Sequence, residues 1–374
     1  MPLAVVAREW TRIGVLGLGG PPAHIRLLRN RCVRERRWID DAEFEHAIAT
    51  CNMLPGPAST QLAIFCAWRV AGPVGALVGG VGFILPGFVL ILLLASLFLA
   101  AHVPVLLAGA AAGAGAGVAA LAAHAGWTLA VPSWHRRRHA MRWSGYLVLG
   151  ALASAAAGSW VVLVLLGAGL LELLAQGAWR PRGRGALVFV PPMVGSVGPL
   201  GAIAWVALKV GALSYGGGFV IIPLMRADAV DRYHWLTPAR FLSVVALGQV
   251  TPGPVVLTVA AVGFAAAGIV GAILATVVAF GPSFCFILLG APQFDRLRDD
   301  PRARAFLDGS GPAAIGAILG SALPLARALE HGWQFGVLGV AAVAMFVLRR
   351  GVVVTLAGAA GLGIVVALLG LPVA

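Results

Sequence analysis

Two stretches of this chain repeat one another at a fixed spacing. Residues 13–65 align with 210–262 at a constant offset of 197, pairing Gly14 with Gly211, Gly19 with Gly216, Gly20 with Gly217 and Arg29 with Arg226. The register continues through Trp38/Trp235, Phe44/Phe241, Pro55/Pro252, Gly56/Gly253 and Pro57/Pro254. After a one-residue gap it pairs Gly72 with Gly268 and Pro86 with Pro282. Glycine, proline and tryptophan recurring in one order are a poor product of chance, and a repeat of this length predicts two copies of one structural unit. The expected division is 1–190 and 191–374.

The solvent of that unit follows from composition. Of 374 residues 60% are hydrophobic and 11% charged, with 50 glycines and a mean hydropathy of +0.94. Soluble domains carry about 25% charged residues, so a soluble enzyme and a disordered chain are both excluded. Apolar runs approach or exceed the ~20 residues that a spanning helix needs. The predicted fold class is an all-α polytopic membrane protein. In each half a first apolar segment (8–25 and 199–225) precedes a basic or mixed linker. Then comes a stretch broken by Pro-Gly-Pro (41–71 and 238–268) and four more apolar runs. These are 73–100, 103–125, 144–158 and 160–178 in the first half, and 269–291, 312–329, 333–348 and 352–371 in the second.

The net charge of +13 comes almost wholly from arginine, with Lys209 the single lysine. The arginines sit in short blocks between apolar runs, the pattern of positive-inside loops rather than of nucleic-acid binding. They also arbitrate topology. If both Pro-Gly-Pro stretches are re-entrant, one side of the membrane holds about 20 arginines and the other about five; if both cross, the split falls to roughly 15 against 10. The re-entrant reading predicts about 10 transmembrane helices plus two hairpins. Five crossings per half is odd, so the second half is an inverted repeat of the first, with both termini outside the cytoplasm. That is the architecture of many secondary transporters, whose sites lie at the repeat interface.

Two kinds of element carry candidate chemistry. One is the pair of glycine clusters, with Gly19, Gly20 and His24 in the first half and Tyr215, Gly216, Gly217 and Gly218 in the second. They either unwind a helix or let backbones touch. The other is the Pro-Gly-Pro pair. The first is Pro55, Gly56 and Pro57, followed by Ser59, Thr60 and Gln61. The second is Pro252, Gly253 and Pro254, flanked by Gln249, Thr251 and Thr258. Proline suits a first helical turn, so half-helices are predicted to begin at Pro57 and Pro254, with their free N–H groups aimed at the break and suited to an anion. Arg12 and Lys209, matched by the repeat, add full positive charge, although Arg12 lies near enough to its segment's end to snorkel. Acids are scarce in the spans, which argues against a cation path. His24, Glu45, His124 and Glu172 are the candidates for proton coupling.

Other patterns carry less. Four cysteines show no metal spacing. Three arginines separate His135 from His139. Gly113, Gly115 and Gly117 follow no strand and read as a packing face. Arg8, Glu9 and Arg12 interrupt the first apolar stretch, so it is not a cleavable signal. Trp127, Trp134, Trp143 and Trp179 flank spans as interfacial anchors do. No cofactor is called for.

At Gly19-Gly20-Pro21-Pro22-Ala23-His24-Ile25, Arg36-Arg37-Trp38, Leu54-Pro55-Gly56-Pro57-Ala58-Ser59-Thr60-Gln61, Gly82-Phe83-Ile84-Leu85-Pro86, Tyr215-Gly216-Gly217-Gly218-Phe219, Trp235-Leu236-Thr237 and Ala246-Leu247-Gly248-Gln249-Val250-Thr251-Pro252-Gly253-Pro254, the sequence resembles the chromate ion transporter family in its long, two-domain form. Leu18 stands where the family usually has Phe, and Arg12 where it often has Lys. The resemblance implies a multi-pass protein of the bacterial inner membrane that exports chromate and confers resistance, with sulfate as a mimic. The alternatives are a sulfate-type carrier that takes chromate only by mimicry, a lipid-modifying membrane enzyme, and a non-transporting scaffold. The expected partners are chromate or sulfate, the bilayer and a second copy of the chain.

Overall fold

The computed structural model describes residues 1–100, 103–156, 161–177, 198–214, 218–290 and 300–373. The described residues form helices without strands. Seven come from the first half: α1 (Leu3–Leu16), α2 (Pro21–Arg29), α3 (Asp41–Cys51), α4 (Ala58–Phe98), α5 (Val105–His135), α6 (Ala140–Ala156) and α7 (Val161–Ala175). Seven follow: α8 (Pro199–Leu213), α9 (Ile221–Arg226), α10 (Pro238–Val250), α11 (Thr258–Gly290), α12 (Pro301–Arg327), α13 (Gly332–Ala342) and α14 (Val352–Leu368).

The order of elements follows the sequence repeat. α2 and α9 each run on into a π-helical turn, Asn30–Glu35 and Ala227–Arg232, at the sequence offset. Both long helices are broken at matched places. Ala71 and Gly72 adopt φ/ψ of −142/23° and 68/−163°, and Ala267 and Gly268 adopt −152/32° and 61/−150°. Arg37 and His234, also equivalent, both take positive φ (49° and 53°). The expected division at residue 190 falls outside the described residues.

Local chemistry sets the helix ends. Asp40 and Thr237 cap α3 and α10 by accepting from the N–H groups of Glu43 (2.7 Å) and Arg240 (3.2 Å). Asp300 does the same for α12, where Pro301 opens the first turn. Gly20, with φ of 74°, precedes the two prolines that begin α2.

Small residues let the helices touch. A Cβ at Gly14 would lie 2.6 Å from the Phe83 carbonyl oxygen, and one at the equivalent Gly211 would collide with the Ala279 carbonyl. α1 therefore packs on α4 as α8 packs on α11. Glycines likewise join α5 to α14 (Gly109, Gly113) and α6 to α12 (Gly150, Gly316). Gly113 and Gly117 meet α14 while Gly115 meets Leu242 of α10, so this run is a packing face. α4 and α11 also pack on each other, joining the halves.

Among the described residues four helical stretches are long and apolar enough to cross a membrane: Ala58–Phe98, Val105–His135, Val255–Gly290 and Pro301–Arg327. Shorter apolar helices, including Val161–Ala175 and Val352–Leu368, stand beside them. Of the expected short run at 144–158, residues 144–156 lie in α6, which packs on α12, and the rest falls outside the described residues. The outer surface is apolar as well: Leu289 is 78% exposed and Leu93 58%. A surface of this kind is stable against lipid tails, not water.

Candidate functional site

α3 and the first part of α4 form a hairpin. Its tip is Pro55-Gly56-Pro57, and Glu43 near its start pairs with Arg69 at its far end, so the chain returns to the level it left. Gly56 (φ 120°) and Gly253 (φ 97°) make the two tips. Those angles suit glycine and strain any side chain with a Cβ.

Each tip reaches into the opposite half. The Gly253 N–H donates to the Gly17 carbonyl (3.1 Å), in the break between α1 and α2. The Pro252 carbonyl lies against Gly87 of α4 so closely that a Cβ there would collide. A Cβ at Gly56 would lie 3.3 Å from the Gly211 carbonyl oxygen and 3.1 Å from the Ser283 Oγ, on α8 and α11. Since Ser283 is the counterpart of Gly87, the two contacts are related as the repeats are. Gly20 and Gly218 both approach Val255, in the 3-10 turn Val255–Leu257 after Pro254; Cβ atoms built on them would lie 3.6 and 3.8 Å away. The first glycine cluster and the described end of the second thus meet at one place.

The polar groups here are buried. His24 is fully buried, with Nε2 3.0 Å from the Gly17 carbonyl and Nδ1 3.2 Å from Ser59 Oγ. A carbonyl only accepts, so Nε2 carries a proton. In the neutral ring Nδ1 then accepts from the Ser59 hydroxyl. Phe83 meets the imidazole edge-on at 5.0 Å. The Gly17 carbonyl therefore takes one bond from His24 and one from the other half. Gln61 donates to the Pro55 carbonyl (2.7 Å), bracing the tip. Its Oε1, Thr60 Oγ1, Ser214 Oγ and Ser283 Oγ are buried without a partner. Orphaned buried acceptors and hydroxyls are rare; these four belong to the elements that carry or touch the two tips, while Ser154, Ser310, Arg29 Nε and His331 Nε2 lack a hydrogen-bond partner elsewhere. The first turn of α4 adds N–H groups without intrahelical acceptors. In the second hairpin, Thr251 and Thr258 direct their hydroxyls to their own turns, at the Leu247 and Val255 carbonyls. Gln249 is buried beside them.

The two cations are placed differently from each other. Arg12 is exposed on α1. Lys209 is largely buried and paired with Asp228 of the π-helical turn, with its ammonium 5.4 Å from the centre of the Trp205 ring. The expectation of two free charges converging on the site is replaced by one surface arginine and one compensated ion pair. Asp228, whose charge did not stand out against its basic linker, and Ser283, a lone hydroxyl in an apolar run, were not singled out. The repeat could have flagged Ser283 as the partner of Gly87.

Tyr215, Gly216 and Gly217 lie outside the described residues, as do Trp179 and the arginines at 180, 182, 184, 296 and 298. Gly19 is exposed. Of the acids considered for proton coupling, Glu45 is exposed and pairs with Arg29. Glu172 accepts from Tyr146 (3.0 Å) and Gln176 (2.8 Å) and faces Arg142 (3.5 Å) among α6 and α7. His124 packs on Phe346.

Apolar spans, matched breaks and a buried polar centre shared by two repeated element sets define a multi-pass membrane protein of transporter type. The family model for chromate transporters matches residues 4–173 and 201–364; the chain belongs to that family. It is 33% identical over 326 residues to a chromate transport protein of Cupriavidus metallidurans, covering 84% of this chain and 80% of that one. A chromate transport protein of Pseudomonas aeruginosa is 30% identical, covering 85% of this chain and 80% of its own. A probable chromate transport protein of Synechococcus elongatus is 29% identical, over 91% and 89%. No solved structure gives a significant match.

Proposed function

We propose that the chain is a secondary transporter that carries chromate out of a bacterial cytoplasm through the inner membrane, as two inverted repeats with a dianion site where the two hairpin tips meet. The observation that carries this reading is the crossed contact of the tips. Each motif is seated on the first helix of the other half, and Gly253 is bonded to Gly17. A site built from both repeats changes its access when one rocks against the other. The closed hairpin held by Glu43 and Arg69 supports the re-entrant topology.

The chemistry offered is backbone N–H groups and neutral hydroxyls around buried glycines, which recognise a small tetrahedral dianion by its oxygens. Ser59, Thr60, Gln61, Ser214 and Ser283 supply the side-chain bonds. His24 holds the Gly17 turn and orients Ser59. Because Asp228 neutralises Lys209, the attraction for the anion rests on helix dipoles and N–H groups, with Lys209 acting through its pair. Sulfate has the same shape and charge and competes.

The test is flux of radiolabelled chromate into proteoliposomes holding the purified chain, driven by an imposed ion gradient without nucleotide. Saturable uptake, reduced by excess sulfate and by Ser59→Ala, is expected. Absence of gradient-driven flux from protein shown to be folded and inserted overturns the reading. Uptake of sulfate with none of chromate makes the chain a sulfate carrier.

A further inference from the structure

A groove of about 350 Å³ runs between α13 and α14, far along the chain from the hairpin tips. Its walls are apolar and built of small residues, among them Ala341, Ala344, Gly358 and Leu362. One end is different in kind, lined by Arg350 and by Thr355. α13 ends in a π-helical turn, Val343–Val347, and the chain then doubles back. Leu348 N–H donates to the Val343 carbonyl (3.0 Å) and Arg350 N–H to the Ala344 carbonyl (2.8 Å), with Arg349 at φ of 51°. This turn sets Arg350 at the mouth of the groove, with the exposed Arg349 next to it in the chain. Neither forms an ion pair among the described residues. The surrounding surface is lipid-facing: Val347 is 70% exposed and Val354 65%.

We propose that this groove is a binding site for an anionic phospholipid, with an acyl chain along the small-residue wall and the phosphate on Arg349 and Arg350. The length fits. From Val352 to Leu362 α14 rises roughly 15 Å, a span suited to an extended chain. The charge fits too, since two uncompensated guanidiniums beside an apolar channel match an anionic head on an apolar tail. Basic pockets between spanning helices recognise anionic headgroups in this way, and Arg binds phosphate as a planar fork.

Gly358 makes the groove testable. A Cβ there would meet nothing within 4 Å, so Gly358→Leu can project a side chain into the channel. The chain is purified from mixed vesicles of phosphatidylglycerol and phosphatidylcholine with identical acyl chains, and the retained lipid is counted by mass spectrometry. The wild type is expected to retain phosphatidylglycerol in preference. Arg350→Gln lowers that preference roughly fivefold while leaving phosphatidylcholine retention unchanged. Gly358→Leu lowers retention of both. Equal retention of the two lipids by the wild type overturns the proposal. So does an Arg350→Gln chain that keeps its preference, or a Gly358→Leu chain whose lipid retention is unchanged. The readout is lipid, not flux, so it stands apart from the transport reading.

Discussion

The two halves hold the same join with opposite charge. In the first, the acid is on the opening helix: Glu9 of α1 is bound by Arg31 of the π-helical turn, with Arg36 at 3.5 Å. In the second, the base is on the opening helix: Lys209 of α8 is bound by Asp228. Arg31 and Asp228 are equivalent positions. The hairpins differ as well. His24, Ser59 and Thr60 correspond to Ile221, Val256 and Leu257. The backbone breaks and a buried ion pair between helix and linker recur in both halves, while the His24–Ser59 pair and Thr60 belong to the first half alone. A repeated frame therefore carries different side chains in its two copies.

The largest effect should come from the ion pairs. Lys209→Ala leaves Asp228 buried and alone, a loss of about 3–5 kcal/mol, read as a lowered melting temperature and poor yield. Glu9→Ala should cost less, because Arg31 keeps Glu35 as a second partner. If Lys209→Ala proves as mild as Glu9→Ala, Asp228 is not left uncompensated and the two joins tolerate loss of a partner equally. The double exchange Lys209→Asp with Asp228→Lys, which gives the second join the polarity of the first, should recover much of the loss.

Next comes the contact between halves. Gly87→Ser copies Ser283 into the first half, where the Pro252 carbonyl leaves no room. A cost of about 1–3 kcal/mol is expected, measured by thermal unfolding in detergent. The reverse change, Ser283→Gly, should be tolerated in folding and weaken chromate transport.

Making the first hairpin resemble the second sharpens the comparison further. His24→Ile with Ser59→Val replaces both members of a hydrogen-bonded pair with residues that the other half already packs. Folding should survive, and chromate flux should fall at least about tenfold if the lost bonds to Gly17 and the anion are worth about 1.4 kcal/mol. Flux at the wild-type rate would mean that His24 and Ser59 do not contribute to the anion site. The smallest effect is expected at the exposed end of the hairpin, where Arg69→Ala removes a partly exposed pair with Glu43 and costs about 0.2–1 kcal/mol.

The duplication, the membrane solvent and the positions of the backbone breaks were legible in the residues themselves. Proline and glycine act on their own φ and their own N–H, so Pro-Gly-Pro ends a helix wherever it is placed. Hydropathy sums over a window and needs no partner. What only the tertiary structure decided is which polar groups meet. Asp228 finds Lys209 across 19 residues, and Gly253 finds Gly17 in the other half of the chain. A charge read along the chain appears uncompensated until the fold supplies its neighbour. For that reason Lys209 looked like a free cation and Ser283 like one more small residue in an apolar helix. Local steric and solvation terms are written in composition and order, whereas electrostatic and hydrogen-bond partners depend on distances that only packing sets.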